Sequence, residues 1–105
     1  MSAYLNVAVR EHESSTVLHI EGELDLGSSR ELDEVINLAQ RKRPPVLVVD
    51  LEKLRFIDMA GLRVLIAARE RADQEGQQLV LVNLRAPVRR IVNLARMGEW
   101  LPELG

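Results

Sequence analysis

The chain reads as an α/β domain on a mostly parallel, mixed sheet of about four strands with three or more helices. The expected order is β-β-α-β-α-β-α. Three observations predict it. Residues 46–51 and 79–84 are apolar runs of strand length broken only by Asp50 and Asn83, the signature of strands inside a parallel sheet. Segments with apolar residues at helical spacing alternate with those runs, which implies right-handed crossovers. Residues 5–21 hold two segments separated by a polar turn, which implies a hairpin at one side of the sheet. At 105 residues the chain is expected to be one domain spanning 1–105.

Leu5, Val7 and Val9 alternate with polar or small residues, so residues 5–11 read as a half-exposed strand. Residues 12–15 are polar and read as a turn, and residues 16–21 as a second strand. Glycines bracket residues 22–27, which read as a loop. Ser28 or Ser29 can cap a helix starting near Arg30, and Ser28 with Glu31 fits a capping box. Leu32, Val35, Ile36 and Ala39 share its inner face. The helix fades into Arg41-Lys42-Arg43, where positive charge suits its dipole, and Pro44-Pro45 stops it.

The run at 46–51 needs cover on both faces and reads as the central strand. Residues 54–57 read as a short connection. A second helix spans 60–74, with Leu62, Leu65, Ala68 and Ala72 inward and Gly76 as its C-terminal signal. The strand at 79–84 follows. Pro87 suits the first turn of a third helix, with Val88, Ile91, Val92 and Ala95 inward and Gly98 at its end. The tail Trp100-Leu101-Pro102 is expected to pack back on the domain. No internal repeat, low-complexity stretch or linker interrupts this order.

Composition removes several function classes. The chain has no cysteine, so disulfides, thiolate catalysis and cysteine-held zinc or iron–sulfur centres are excluded. Fourteen basic against sixteen acidic residues give a formal charge of −2, which offers no general attraction to nucleic acid or anionic membrane. Only Tyr4, Phe56 and Trp100 are aromatic, too few for a base-stacking platform. No secretory signal is visible, and no apolar run approaches the roughly twenty residues that cross a bilayer. The expectation is a cytoplasmic protein without nucleic-acid binding or membrane insertion.

No catalytic motif appears. His12 and His19 are the only histidines. With no spaced carboxylate partner they make a poor metal site, and they read as surface or edge-strand residues. The glycines form neither a P-loop nor a dinucleotide fingerprint, and no nucleophile elbow is present. Asp25, Asp50 and Asp58 lie near strand ends but define no reaction without a nucleophile, metal or basic clamp. The expectation is a non-enzyme with no cofactor and no metal. Arg85, Arg89, Arg90 and Arg96, and the cluster at 41–43, read as solvated faces.

The segment with most information runs Val48-Val49-Asp50-Leu51-Glu52-Lys53-Leu54-Arg55-Phe56-Ile57-Asp58-Met59-Ala60-Gly61-Leu62-Arg63-Val64-Leu65. A buried strand leads into a tight loop and a helix start. Asp58 can cap that helix, and Gly61 lets it approach a neighbouring backbone. The loop lies at the carboxyl end of a central strand, where open α/β sheets place their sites.

This run resembles the signature of STAS domains, specifically the bacterial anti-sigma factor antagonists. Gly22-Glu23-Leu24-Asp25 and the stretch from Asn83 to Arg90 extend the resemblance over nearly the whole chain. The resemblance implies a small α/β module that binds an anti-sigma factor with a serine-kinase-like fold and so frees a sigma factor. The expected partner surface joins the loop at 22–29, the helix start at 58–61 and the exposed side of the second helix, and includes Asp25, Asp58, Met59, Ala60, Gly61 and Arg63, with Arg55 at the rim. Met59 reads either as a flexible apolar contact there or as a partly buried structural methionine. In responsive family members a serine directly after the aspartate accepts phosphate. Here Met59 occupies that position and Ala60 follows, so no phosphorylation is expected there. Alternative settings are a subunit of a stress-signalling scaffold or a lipid-transport complex, or a nucleotide-binding STAS domain. A homo-oligomer stays open.

Overall fold

A computed structural model describes residues 4–94. The elements run β1 (Leu5–Glu11), β2 (Ser15–Leu24), α1 (Ser29–Arg41), β3 (Val46–Ile57), α2 (Met59–Gln74), β4 (Gln78–Val82) and α3 (Ala86–Leu94). The sheet order is β1-β2-β3-β4. β1 and β2 pair antiparallel from Leu5↔Gly22 to Glu11↔Thr16, and the His12 N–H closes the turn on Ser15 O at 2.8 Å. β2 pairs parallel with β3 from Ser15↔Val46 to Leu24↔Ile57. β4 adds parallel to β3 from Val46↔Gln78 to Asp50↔Val82. The expected order and sheet are therefore present. Ala95, Arg96, Gly98 and the Trp100-Leu101-Pro102 tail lie outside the described residues.

The helices cover one face of the sheet, contrary to the expectation of cover on both. Both crossovers step in the same direction along the sheet, and two right-handed crossovers stepping the same way fall on the same side. On β3, Leu47, Val49 and Leu51 are buried while Val46, Val48 and Asp50 are half-buried. Leu18, Ile20 and Leu24 of β2 share one core with Leu32 and Ile36 of α1, Leu62 and Leu65 of α2, and Val88 and Val92 of α3. Such buried leucines each contribute roughly 2–5 kcal/mol against truncation to alanine.

Two segments read as loops are strand. β2 runs on through Gly22 to Leu24, and β3 runs on through Phe56 to Ile57, with register shifts between His19 and Glu21 and between Gly22 and Glu23. Gly22 makes the passage feasible. Its φ is +118°, and a Cβ there would stand 2.8 Å from Tyr4 Cδ2. Glu23 N–H donates to Tyr4 O at 2.8 Å, so the bulged backbone stays tied to the start of β1. The last parallel strand ends at Val82, and Asn83 turns away with φ 59°.

Gln40 locks the helical layer. Buried at the end of α1, its Nε2 donates to Ala68 O at 2.9 Å, its Oε1 accepts from Arg71 Nε at 3.0 Å, and its backbone carbonyl accepts from Gln77 Nε2 at 3.0 Å. The chain leaves α1 through Arg43 in the left-handed region. α2 ends as expected at Gly76, φ +71°, with Gln77 N–H reaching back to Ala72 O at 2.8 Å.

Two stability outcomes follow from these contacts. Gly22→Ala meets both a positive φ and the Tyr4 backbone, and should destabilise the fold by about 1–3 kcal/mol. Gln40→Ala removes partners from Ala68 O and Arg71 and should cost about 1–3 kcal/mol. Urea denaturation followed by circular dichroism checks both. An unchanged midpoint for Gly22→Ala would mean the bulge relaxes without strain.

Candidate functional site

The β2–β3 ladder delivers two loops to one end of the sheet. At its last rung, Leu24↔Ile57, each chain turns into a helix. Asp58 N–H donates to Leu24 O at 3.1 Å across the two turns. Gly61 then packs directly on Leu24: a Cβ there would stand 2.6 Å from Leu24 Cγ and 2.9 Å from Leu24 O. The glycine expected to permit backbone approach does so, and its neighbour is the end of β2.

Asp58 caps α2. Its backbone is extended and its side chain accepts from Gly61 N–H at 3.1 Å, which satisfies one of the free donors of the first turn. Asp25 has a comparable duty in the other turn, where its Oδ1 accepts from Gly27 N–H at 2.9 Å and Ser28 N–H at 3.2 Å. Ser28 follows this turn rather than the expected capping box. Its hydroxyl donates to Glu23 O at 2.8 Å and accepts from Asp25 N–H at 3.1 Å, and it makes no side-chain cap bond to α1. The hydroxyl is committed to the turn before the helix begins.

Met59 is the first residue of α2 and 56% exposed. Ala60 is half-buried and Arg63 exposed on the next turn. The structure therefore gathers Asp25, Asp58, Met59, Ala60, Gly61 and Arg63 at one end. It also places there Leu26, in the loop expected to join Met59 at this surface, and Phe56, which sequence reasoning did not assign to it. Leu26 is 79% exposed at the tip of the first turn, and Phe56 is 49% exposed opposite Glu23. Both are large apolar side chains held in solvent, which is the signal that marks them. Arg55 is exposed beside Phe56.

The third strand-end carboxylate lies elsewhere. Asp50 sits on the uncovered sheet face and accepts from His19 Nδ1 at 2.9 Å, from Asn83 Nδ2 at 3.1 Å and from Glu52 N–H at 3.0 Å. The sequence reading gave His19 no carboxylate partner and an edge or surface position. The fold supplies Asp50 from 31 residues away and places His19 on β2, an inner strand rather than an edge, with its side chain still at the surface. His12 stays exposed in the hairpin turn. Among the described residues no group of three or more histidine, aspartate or glutamate side chains is placed to hold a metal ion. No helix among them is long and apolar enough to cross a membrane.

Comparison with known proteins gives this geometry a family. The family model described as Mlab, STAS domain, matches residues 7–103. An anti-sigma F factor antagonist of Paenibacillus polymyxa is 26% identical over 102 residues, covering 93% of this chain and 85% of that protein. The anti-sigma-F factor antagonist RsfB of Mycobacterium tuberculosis is 36% identical over 70 residues, covering 67% of this chain and 57% of that protein. The crystal structure of an anti-sigma factor antagonist from Mycobacterium paratuberculosis superposes with a TM-score of 0.85 at 27% identity, covering 97% of this chain and 88% of that one. A hairpin-led mixed sheet, an aspartate-capped helix packed on the end of β2, and a family match across 7–103 make this chain a member of the STAS domain family.

Proposed function

We propose that the protein is an anti-sigma factor antagonist, a non-catalytic module that binds an anti-sigma factor and so releases a sigma factor. The observation that carries the reading is the exposed group Leu26, Phe56 and Met59 at the joined turns. The hydrogen bond from Asp58 to Leu24 and the Gly61 contact hold those turns rigidly, so little ordering cost attends docking. The apolar group supplies buried contact, and Arg55 and Arg63 supply a polar rim. The names of the relatives point to the same partner class. The partner is an anti-sigma factor with a serine-kinase-like fold.

The interaction is proposed to be insensitive to phosphorylation at the helix start, where Met59 and Ala60 carry no hydroxyl. Nearby hydroxyls do not replace the acceptor. Ser28 is 2% exposed and engaged in its turn, and Ser29 Oγ donates to Leu26 O at 3.3 Å.

A pull-down from native cells, read by mass spectrometry, tests the partner class: an anti-sigma factor supports the reading, and transporter or scaffold subunits replace it. With that anti-sigma factor in hand, Arg63→Glu and Met59→Asp should each weaken binding about tenfold or more by calorimetry, since the first reverses a charge at the rim and the second sets an unpaired charge in the apolar contact. Asp58→Ala should weaken binding and also cost about 1 kcal/mol of stability, so melting is measured beside affinity. Wild-type affinity in all three variants would place the interface elsewhere.

Gly61→Val should lower both the melting temperature and the affinity, because Leu24 cannot withdraw without moving the first turn. Incubation with the kinase-competent anti-sigma factor and ATP should leave wild type unmodified and its affinity unchanged. Met59→Ser should gain phosphate on phosphopeptide mapping. Stoichiometric phosphate on wild-type Ser29 that abolishes binding would overturn the phosphorylation-insensitive reading.

A further inference from the structure

The uncovered face of the sheet carries a built arrangement that the proposed docking surface does not use. Asp50 accepts three hydrogen bonds, from β2 through His19, from its own strand through Glu52 N–H, and from the residue after β4 through Asn83. Its side chain is 13% exposed. Asn83 holds a left-handed backbone, φ 59°, where it donates its amide to this carboxylate. The hydrophobic core lies on the opposite face, so packing does not require the pair.

The arrangement determines the tautomer of the neutral imidazole. An ionised carboxylate only accepts, so the proton in the 2.9 Å contact belongs to His19 Nδ1. The neutral ring then carries its lone pair on Nε2. The His19 side chain is 42% exposed and borders a depression of about 260 Å³ that Arg10 and Lys53 also line. Neither cation has an ion-pair partner among the described residues. Glu21 and Glu52 stand at the same depression.

We propose that His19 Nε2 is a phosphoryl-accepting nucleophile, a modification site distinct from the helix start at Met59. The donor class is a small activated phosphoryl compound, an acyl phosphate or a phosphoramidate. The Nε2 lone pair attacks phosphorus and forms the N–P bond. The bond from phosphorus to the leaving group breaks, and that group departs with the electron pair, from an acyl phosphate as a carboxylate or from a phosphoramidate as an amine that takes a proton from solvent. Nδ1 keeps its proton, and Asp50 neutralises the cationic ring that results. Arg10 and Lys53 offset the phosphate charge, as an acyl or alkyl product would not need. Glu21 and Glu52 oppose that charge and slow the transfer.

Potassium phosphoramidate with the full chain is the test, and His12 is the internal reference. Phosphorus NMR should show an Nε2-linked phosphohistidine, and peptide mapping at neutral pH should place it on His19. His19 should react about tenfold faster than His12, the scale of one charge-assisted hydrogen bond. Asp50→Asn should reduce the His19 rate to that of His12, Lys53→Ala should slow it, and Glu52→Gln should raise it. Circular dichroism confirms that each variant is folded. Should Asp50→Asn prove unfolded, the opposite responses of Lys53→Ala and Glu52→Gln decide the matter. Equal rates at His19 and His12 in wild type, or rates indifferent to all three substitutions, would overturn the proposal.

Discussion

The parallel ladder between β2 and β3 is the constraint on which the rest of the structure depends. It runs from Ser15↔Val46 to Leu24↔Ile57, past the point where β4 stops at Val82. Because the two strands point the same way and end on the same rung, both following turns emerge side by side. The Asp58–Leu24 hydrogen bond and the bare Cα of Gly61 then convert adjacency into contact. A side chain at Gly61 would push α2 off the end of β2 and separate the turns. The ladder reaches that length only because Gly22 absorbs a bulge at positive φ against Tyr4. One glycine lets the strand arrive, and the other lets the helix dock on it.

Much of this was legible in the chain. Helical spacing at Leu62, Leu65, Ala68 and Ala72 identified the buried stripe of α2, and those residues are buried. Asp58 was readable as a cap and Gly61 as a close approach, because each residue type has few other uses at a helix start. The lengths of β2 and β3 were not readable. Glycine in the first, and Glu52-Lys53 and Arg55 in the second, break the apolar pattern where the strands leave the core. The run at 46–51 looked buried on both sides because valines occupy both. Only the order of the strands shows that Val46 and Val48 face an open surface. The His19–Asp50 pair is a product of register between distant strands and leaves no local trace.

Burial sorts the polar groups by duty. Gln40 and Ser28 are enclosed and tie elements together. Gln77 is enclosed too, donating to the Gln40 carbonyl while its Oε1 finds no partner among the described residues. Asp25 and Asp58 are partly exposed, and each spends one carboxylate oxygen on backbone N–H groups of its own turn. Their charge is thereby fixed in place rather than free to swing toward an incoming surface. Arg55 and Arg63 are exposed without such ties. The candidate docking end therefore combines immobile acids, immobile backbone and adaptable bases around an apolar centre.

The strictly sequential order of the strands has a consequence for how the chain is built. Each new strand pairs with the one made just before it, through a single intervening helix at most. No strand waits for a distant segment to fill a gap beside it, and each parallel pairing closes a loop of about thirty residues that holds one helix. On a ribosome the hairpin can form first, and β3 can join once α1 has emerged. The first turn of α2 then closes on Leu24. At that moment the two turns at the head of the sheet are already in their final relation, while β4 and α3 are still to be synthesised.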